Sequence, residues 1–191
     1  MGARPKHRDN LIYTAARLFR QQGYAATGIN DILREAAAPK GSFYHYFPGG
    51  KEELGAAAIR HAGELVTGTL ERLALAHGSP GDTLRAYGAL LAGWLADSNY
   101  RDGCPLATTV LEVTPQSALI TAAAEEAYDR WRRTLAAIIA PDDASSAATQ
   151  ALASLTVSAL EGSLIQARVA RSPAPIHEAC NQLAHLITPS H

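Results

Sequence analysis

From residue 40 to residue 46 the chain reads Lys40-Gly41-Ser42-Phe43-Tyr44-His45-Tyr46, placing an ammonium, a hydroxyl, phenols and an imidazole close together. Such groups hydrogen-bond to phosphate oxygens and to the edges of bases. With Phe43 and Phe47 four residues apart on the inner face of one helix, Lys40, Gly41, Ser42, Tyr44 and His45 fall on or near the outer face. In a helix that serves packing alone a glycine costs about 1 kcal/mol, whereas on an outer face Gly41 lets the backbone come close to a bound surface. Thr27 and Lys51 open the flanking helices, so their hydroxyl, ammonium and helix-terminal amides suit phosphates on either side.

Three elements must hold that surface. The first helix is expected from about Lys6 to Gln22, with Leu11, Ala15, Leu18 and Phe19 on one face and Gly23 ending it. A second, short helix is announced by Thr27 as its N-cap and turns Ile29, Ile32 and Leu33 inward. Pro39 starts the third, near the first turn where a missing N–H is harmless, and Pro48-Gly49-Gly50 breaks it. Two short helices joined by a tight turn make a helix-turn-helix, whose last helix is short enough to lie in a major groove.

The formal net charge of −1 hides a division along the chain. Residues 1–51 carry eight Lys or Arg (Arg4, Lys6, Arg8, Arg17, Arg20, Arg34, Lys40, Lys51) against Asp9, Asp31 and Glu35, so this head is +5 and the rest −6. A basic module joined to an acidic one fits a nucleic-acid-binding head on a body with another task.

The spaced set Gly23-Tyr24, Thr27, Ile29-Asn30-Asp31-Ile32, Ala36, Lys40 to Phe47 and Lys51-Glu52-Glu53-Leu54 resembles the N-terminal signature of the TetR family of transcriptional regulators. The resemblance implies that Lys40, Gly41, Ser42, Tyr44, His45 and Tyr46 hold recognition-helix positions and that Thr27 and Lys51 bind phosphates. Two departures stand out. Ala37 replaces a glycine common in the turn, and Pro39 replaces a frequent serine, which removes a phosphate contact expected there.

Beyond the head, a long helix is expected from Lys51 to about Ala76, with Glu52 and Glu53 against the positive end of its dipole. Breakers delimit further helices at about 80–98, 104–113, 115–140, 144–171 and 175–188, about nine in all. The expected class is all-α: a helix-turn-helix domain over 1–53, then a helical ligand-binding and dimerisation domain over 54–191. Gly103-Cys104-Pro105-Leu106, Leu111-Glu112, Trp131, Glu161-Gly162-Ser163 and Ala167-Arg168 resemble the YxaF/LmrA-like branch. Leu91, Trp94, Cys104, Leu106, Val110, Tyr128 and Trp131 are the candidates to line a largely apolar effector cavity, although each also suits plain core. The uncharged stretch from Ala144 to Arg171, with Ile176, Leu183 and Leu186 after it, suggests a subunit interface and a homodimer.

Other classes fit less well. No apolar run is long enough to span a bilayer, and Met1-Gly2-Ala3-Arg4-Pro5 is not followed by an apolar stretch, so a cytoplasmic protein without membrane contact is expected. Cys104 and Cys180 lie far apart without metal-ligand spacing and read as reduced thiols; neither metal nor cofactor is implied. A hydrolase lacks a Gly-x-Ser-x-Gly elbow or zinc-type His pairing, and a helical interaction scaffold leaves the basic, glycine-bearing third helix without a purpose. The expected activity is ligand-released repression at a palindromic operator on double-stranded DNA. Replacing Lys40 or Tyr44 by Ala should then weaken operator binding about tenfold or more in a gel-shift titration, and unchanged affinity would remove both from the recognition surface.

Overall fold

The structure, a computed structural model, describes residues 5–187. Arg4 and the final residue expected in the last helix lie outside the described residues. Among those described are nine α-helices, one 3-10 turn at Pro141–Asp143 and no strand. The helices are α1 (Pro5–Gln22), α2 (Ile29–Glu35), α3 (Lys40–Tyr46), α4 (Gly50–Ala76), α5 (Pro80–Asp97), α6 (Pro105–Val113), α7 (Ala118–Ile139), α8 (Ala147–Ala170) and α9 (Ala174–Ile187).

Contacts gather the chain into two units, one reaching Glu64 and resuming over Cys104–Ala127, the other made of Leu65–Gly103 and the chain from Tyr128. α6 and the first turns of α7 pack with the head, a contact between segments too distant for a local sequence signal to record.

In the first unit the inward faces of α1, α2 and α3 meet the start of α4 around Leu11, Ala15, Phe19, Ile32, Phe43, Phe47 and Leu54, all buried. The turn between α2 and α3 ends α2 in a Schellman motif. Ala38 N–H donates to Leu33 O at 3.0 Å and Ala37 N–H to Arg34 O at 3.2 Å, with Ala37 left-handed at φ 48°. The alanine that replaces the family's glycine thus occupies the backbone position that favours glycine.

In the second unit, Leu70, Leu84, Leu95, Leu135, Ala153, Leu160, Ile176 and Leu183 make one core. α5 and α9 approach closely because Gly88 has no side chain: a Cβ there would fall 2.5 Å from Cys180 Sγ. Burial pushes the Cys180 thiol up to about 11, which keeps it protonated at neutral pH.

Several helix starts differ from the expected ones, two of them through a serine cap. Ser117 Oγ accepts Ile120 N–H at 3.2 Å and Ser146 Oγ accepts Thr149 N–H at 3.2 Å, so α7 and α8 begin about three residues later than the Pro and Asp signals imply. Thr27 is not the N-cap of α2; Gly28 is, without a side-chain cap. Pro39 caps α3, which runs from Lys40 to Tyr46 as expected, and Cys104, the residue expected to begin α6, is its N-cap. Replacing Ala37 by Gly relieves the left-handed strain at a smaller entropic cost, and chemical denaturation should register a gain of about 0.5–1 kcal/mol.

Candidate nucleic-acid interface

Phe43 is fully buried and Phe47 nearly so, their rings 5.9 Å apart, and this pair fixes the rotation of α3 about its axis. The rotation leaves Lys40, Gly41, Tyr44 and His45 exposed, with Ser42 and Tyr46 half-buried. Tyr44 packs edge-on against Phe43 at 4.9 Å while remaining 47% exposed, so its ring is oriented and its hydroxyl is accessible. His45 meets the Tyr46 ring at 5.1 Å. A Cβ added at Gly41 would meet nothing within 4 Å, so neither packing nor φ requires glycine there.

The two flanking positions are more occupied than expected. Thr27 is fully buried; its hydroxyl donates to Gly23 O at 2.7 Å and accepts from Gln22 Nε2 at 3.2 Å. The side chain therefore braces the α1–α2 loop, and the part of the site facing outward here is the start of α2. Lys51, in the first turn of α4, donates to Tyr24 O at 2.6 Å and lies over the Tyr24 ring at 4.2 Å. Burial pulls the Lys51 ammonium below its ordinary pKa, and the Glu112 carboxylate pulls it partly back. At the same helix end Glu53 accepts Gly49 N–H at 2.8 Å. Arg8 lies 5.9 Å from the centre of the Phe47 ring, adding a cation at the edge of the helix-turn-helix.

Sequence reasoning missed Glu112, which accepts from Tyr24 N–H at 3.1 Å and Ala25 N–H at 2.6 Å. The partners lie 88 and 87 residues away, beyond any local pattern. The one local sign is Gly23, whose φ of 89° favours glycine.

The seven candidate effector contacts fall in different surroundings. Leu106 is fully buried and Trp131 nearly so, Leu91 packs partly against the second core, and Trp94 is 49% exposed on α5. Cys104, the N-cap of α6, and Val110 within that helix are half-buried. Tyr128 stacks edge-on with Trp131 at 5.4 Å and lines a cleft of about 270 Å³ with Arg132, Ser154, Val157, Ser158 and Glu161. That cleft has both polar and apolar lining, and Tyr128 is the one of the seven candidates that borders it.

Comparison with known proteins places this geometry. Residues 11–58 match the bacterial regulatory proteins of the TetR family, and residues 80–182 match the C-terminal domain of LmrA/YxaF-like transcriptional regulators. An HTH-type transcriptional regulator of Mycobacterium tuberculosis is 35% identical over 94% of this chain and 93% of its own length. LmrA of Bacillus subtilis is 27% identical over 88% of this chain and 90% of its own. A TetR regulatory protein from Rhodobacter sphaeroides superposes with a TM-score of 0.82 at 25% identity, covering 94% of this chain and 97% of that one. The reduced form of Escherichia coli NemR gives 0.76 at 25% identity, covering 93% and 95%.

The chain belongs to the TetR family: it is a DNA-binding regulator of transcription and not an enzyme. Its C-terminal half is of the LmrA/YxaF-like kind.

Gly41 separates a packing role from a contact role. Gly41→Ala should leave the free protein as stable or up to about 1 kcal/mol more stable in denaturant melts, since alanine favours the helix. Operator affinity should nevertheless fall by about an order of magnitude, the cost of backbone-to-phosphate hydrogen bonds pushed out of reach.

Proposed function

We propose that the protein is a homodimeric repressor that places two α3 helices in successive major grooves of a palindromic operator, about 34 Å apart, and is released by a small effector. The observation that carries this reading is the outer face of α3, where Lys40, Tyr44 and His45 stand exposed beside an unobstructed Gly41. In it Lys40, Tyr44 and the amides at the starts of α2 and α4 hold phosphates, while Ser42, His45 and Tyr46 read or border base edges. Residues 1–53 serve as the DNA-binding domain and 54–191 as the ligand-binding and dimerisation domain, in the cytoplasm where operator DNA lies.

Support for a dimer comes from α8. Ala153, Thr156, Leu160, Ser163 and Ala167 are buried on one face. Leu155, Gly162 and Val169 recur every seven residues on another, with Ser158 and Ile165 between them. Leu155, Ile165 and Val169 are 50%, 55% and 82% exposed, and the stripe bears no charge. A seam of that spacing, with a glycine at its middle, suits close packing against another helix. On α9, Leu186 is 64% exposed and extends the apolar surface.

An effector releases DNA only if it binds the DNA-incompetent arrangement more tightly than the competent one. α4, which carries Lys51 in its first turn and Leu70 in the second unit's core, is the element through which the two heads would change their separation. The exposed Trp94 favours an effector with apolar surface.

The double substitution Leu155→Asp, Ile165→Asp places charge on the seam without touching the head. Analytical ultracentrifugation should find a monomer, and operator affinity should fall by about a hundredfold or more as the two half-sites lose their linkage. A dimer of unchanged affinity would put the interface elsewhere.

A further inference from the structure

We infer that Glu112 is a positioning residue for operator binding: its carboxylate, seated on the backbone amides of Tyr24 and Ala25, holds the α1–α2 loop in the shape that sets Lys51 and the start of α2. The inference rests on the regulator reading above.

Each carboxylate oxygen takes one amide, Oε1 from Tyr24 and Oε2 from Ala25, the two-point, charge-assisted arrangement that fixes direction as well as distance. Gly23 is matched to the same group. A Cβ on that residue would lie 2.3 Å from Glu112 Oε1, so glycine supplies both the left-handed turn that ends α1 and the room for the carboxylate.

The position of Glu112 runs against local preference. It stands in the last turn of α6, which ends at Val113, where the helix dipole disfavours a negative side chain. Its side chain is exposed, so burial does not account for it either. The two loop amides supply the compensation that the helix end lacks.

The consequence passes through one residue. Tyr24 is held at its N–H by Glu112 and at its carbonyl by Lys51, which also caps the ring face. The Tyr24 ring in turn packs on Phe19 at 5.1 Å, and its carbonyl accepts Thr27 N–H at 3.1 Å immediately before α2. Releasing the amides therefore loosens the loop that places two proposed phosphate-binding elements, without removing any group that faces DNA.

Charge alone predicts the opposite sign. Glu112 is an anion near Lys51, and by Coulomb's law its removal would strengthen attraction to phosphates. Glu112→Gln and Glu112→Ala in the full chain, titrated against a duplex fragment of the DNA upstream of its own gene at several salt concentrations, distinguish the two. The expected result is affinity lowered about tenfold or more for Ala and less for Gln. The slope of log affinity against log salt should stay unchanged, because no phosphate contact is deleted.

Amide hydrogen exchange at Tyr24 and Ala25 should accelerate in both variants, while the melting temperature and dimer content hold. Equal or tighter binding overturns the inference, as does unaltered exchange. If Glu112→Ala loses helicity, Glu112→Gln, which keeps the shape of the side chain, decides alone. Unaltered binding by the variants beside normal binding by the unsubstituted protein sinks this inference only. Absence of binding by the unsubstituted protein sinks the regulator reading and this inference with it.

Discussion

The burial of Phe43 and Phe47 against α1 and α4 is the constraint from which the DNA-facing surface follows. Each ring withdrawn from water contributes about 1.5–3 kcal/mol, far more than any orientation of exposed polar groups can oppose. Once both rings point inward, the 3.6-residue period leaves Lys40, Tyr44 and His45 no choice but the outer face. The recognition surface is therefore a by-product of packing. Its chemistry is free to vary with the sequence read, while its orientation is held by the core.

A second set of contacts fixes what the core leaves open. A loop of six residues joins α1 to α2, and its groups are shared among distant elements: Thr27 turns inward to Gly23 and Gln22, Lys51 reaches over from α4, and Glu112 from α6. Two of the expected phosphate ligands are thus structural first. Thr27 gives its hydroxyl to Gly23 in the loop and to Gln22 at the end of α1, while Lys51 spends one donor on Tyr24 O and keeps the others.

Much of this was legible in the sequence, and the remainder has a physical explanation. Helix periods, the break at Pro48 to Gly50 and the inward phenylalanines depend on residues a few positions apart, and they placed α1 to α4 to within a residue or two at each end. The left-handed Ala37 likewise sits where the missing glycine pointed. Helix starts were harder, because Ser117 and Ser146 outcompete nearby proline and aspartate as caps, a choice settled by the surrounding packing. Glu112 enters the sequence pattern only through the branch resemblance; its partners lie too far along the chain for spacing to reveal. The effector site stayed least legible, since a tryptophan at helical spacing fits a core and a cavity equally well. Of its seven candidates Trp131 is nearly buried, Trp94 half-exposed, and Tyr128 alone borders the cleft beside α8.

The central claim is that the outer face of α3 enters the major groove as one of a symmetric pair. Hydroxyl-radical footprinting of the protein on its promoter fragment tests this most directly. The account predicts two protected half-sites related by a dyad and centred about 10–10.5 base pairs apart, with protection that fades as salt is raised. A single unsymmetrical footprint, or protection indifferent to salt, would contradict it.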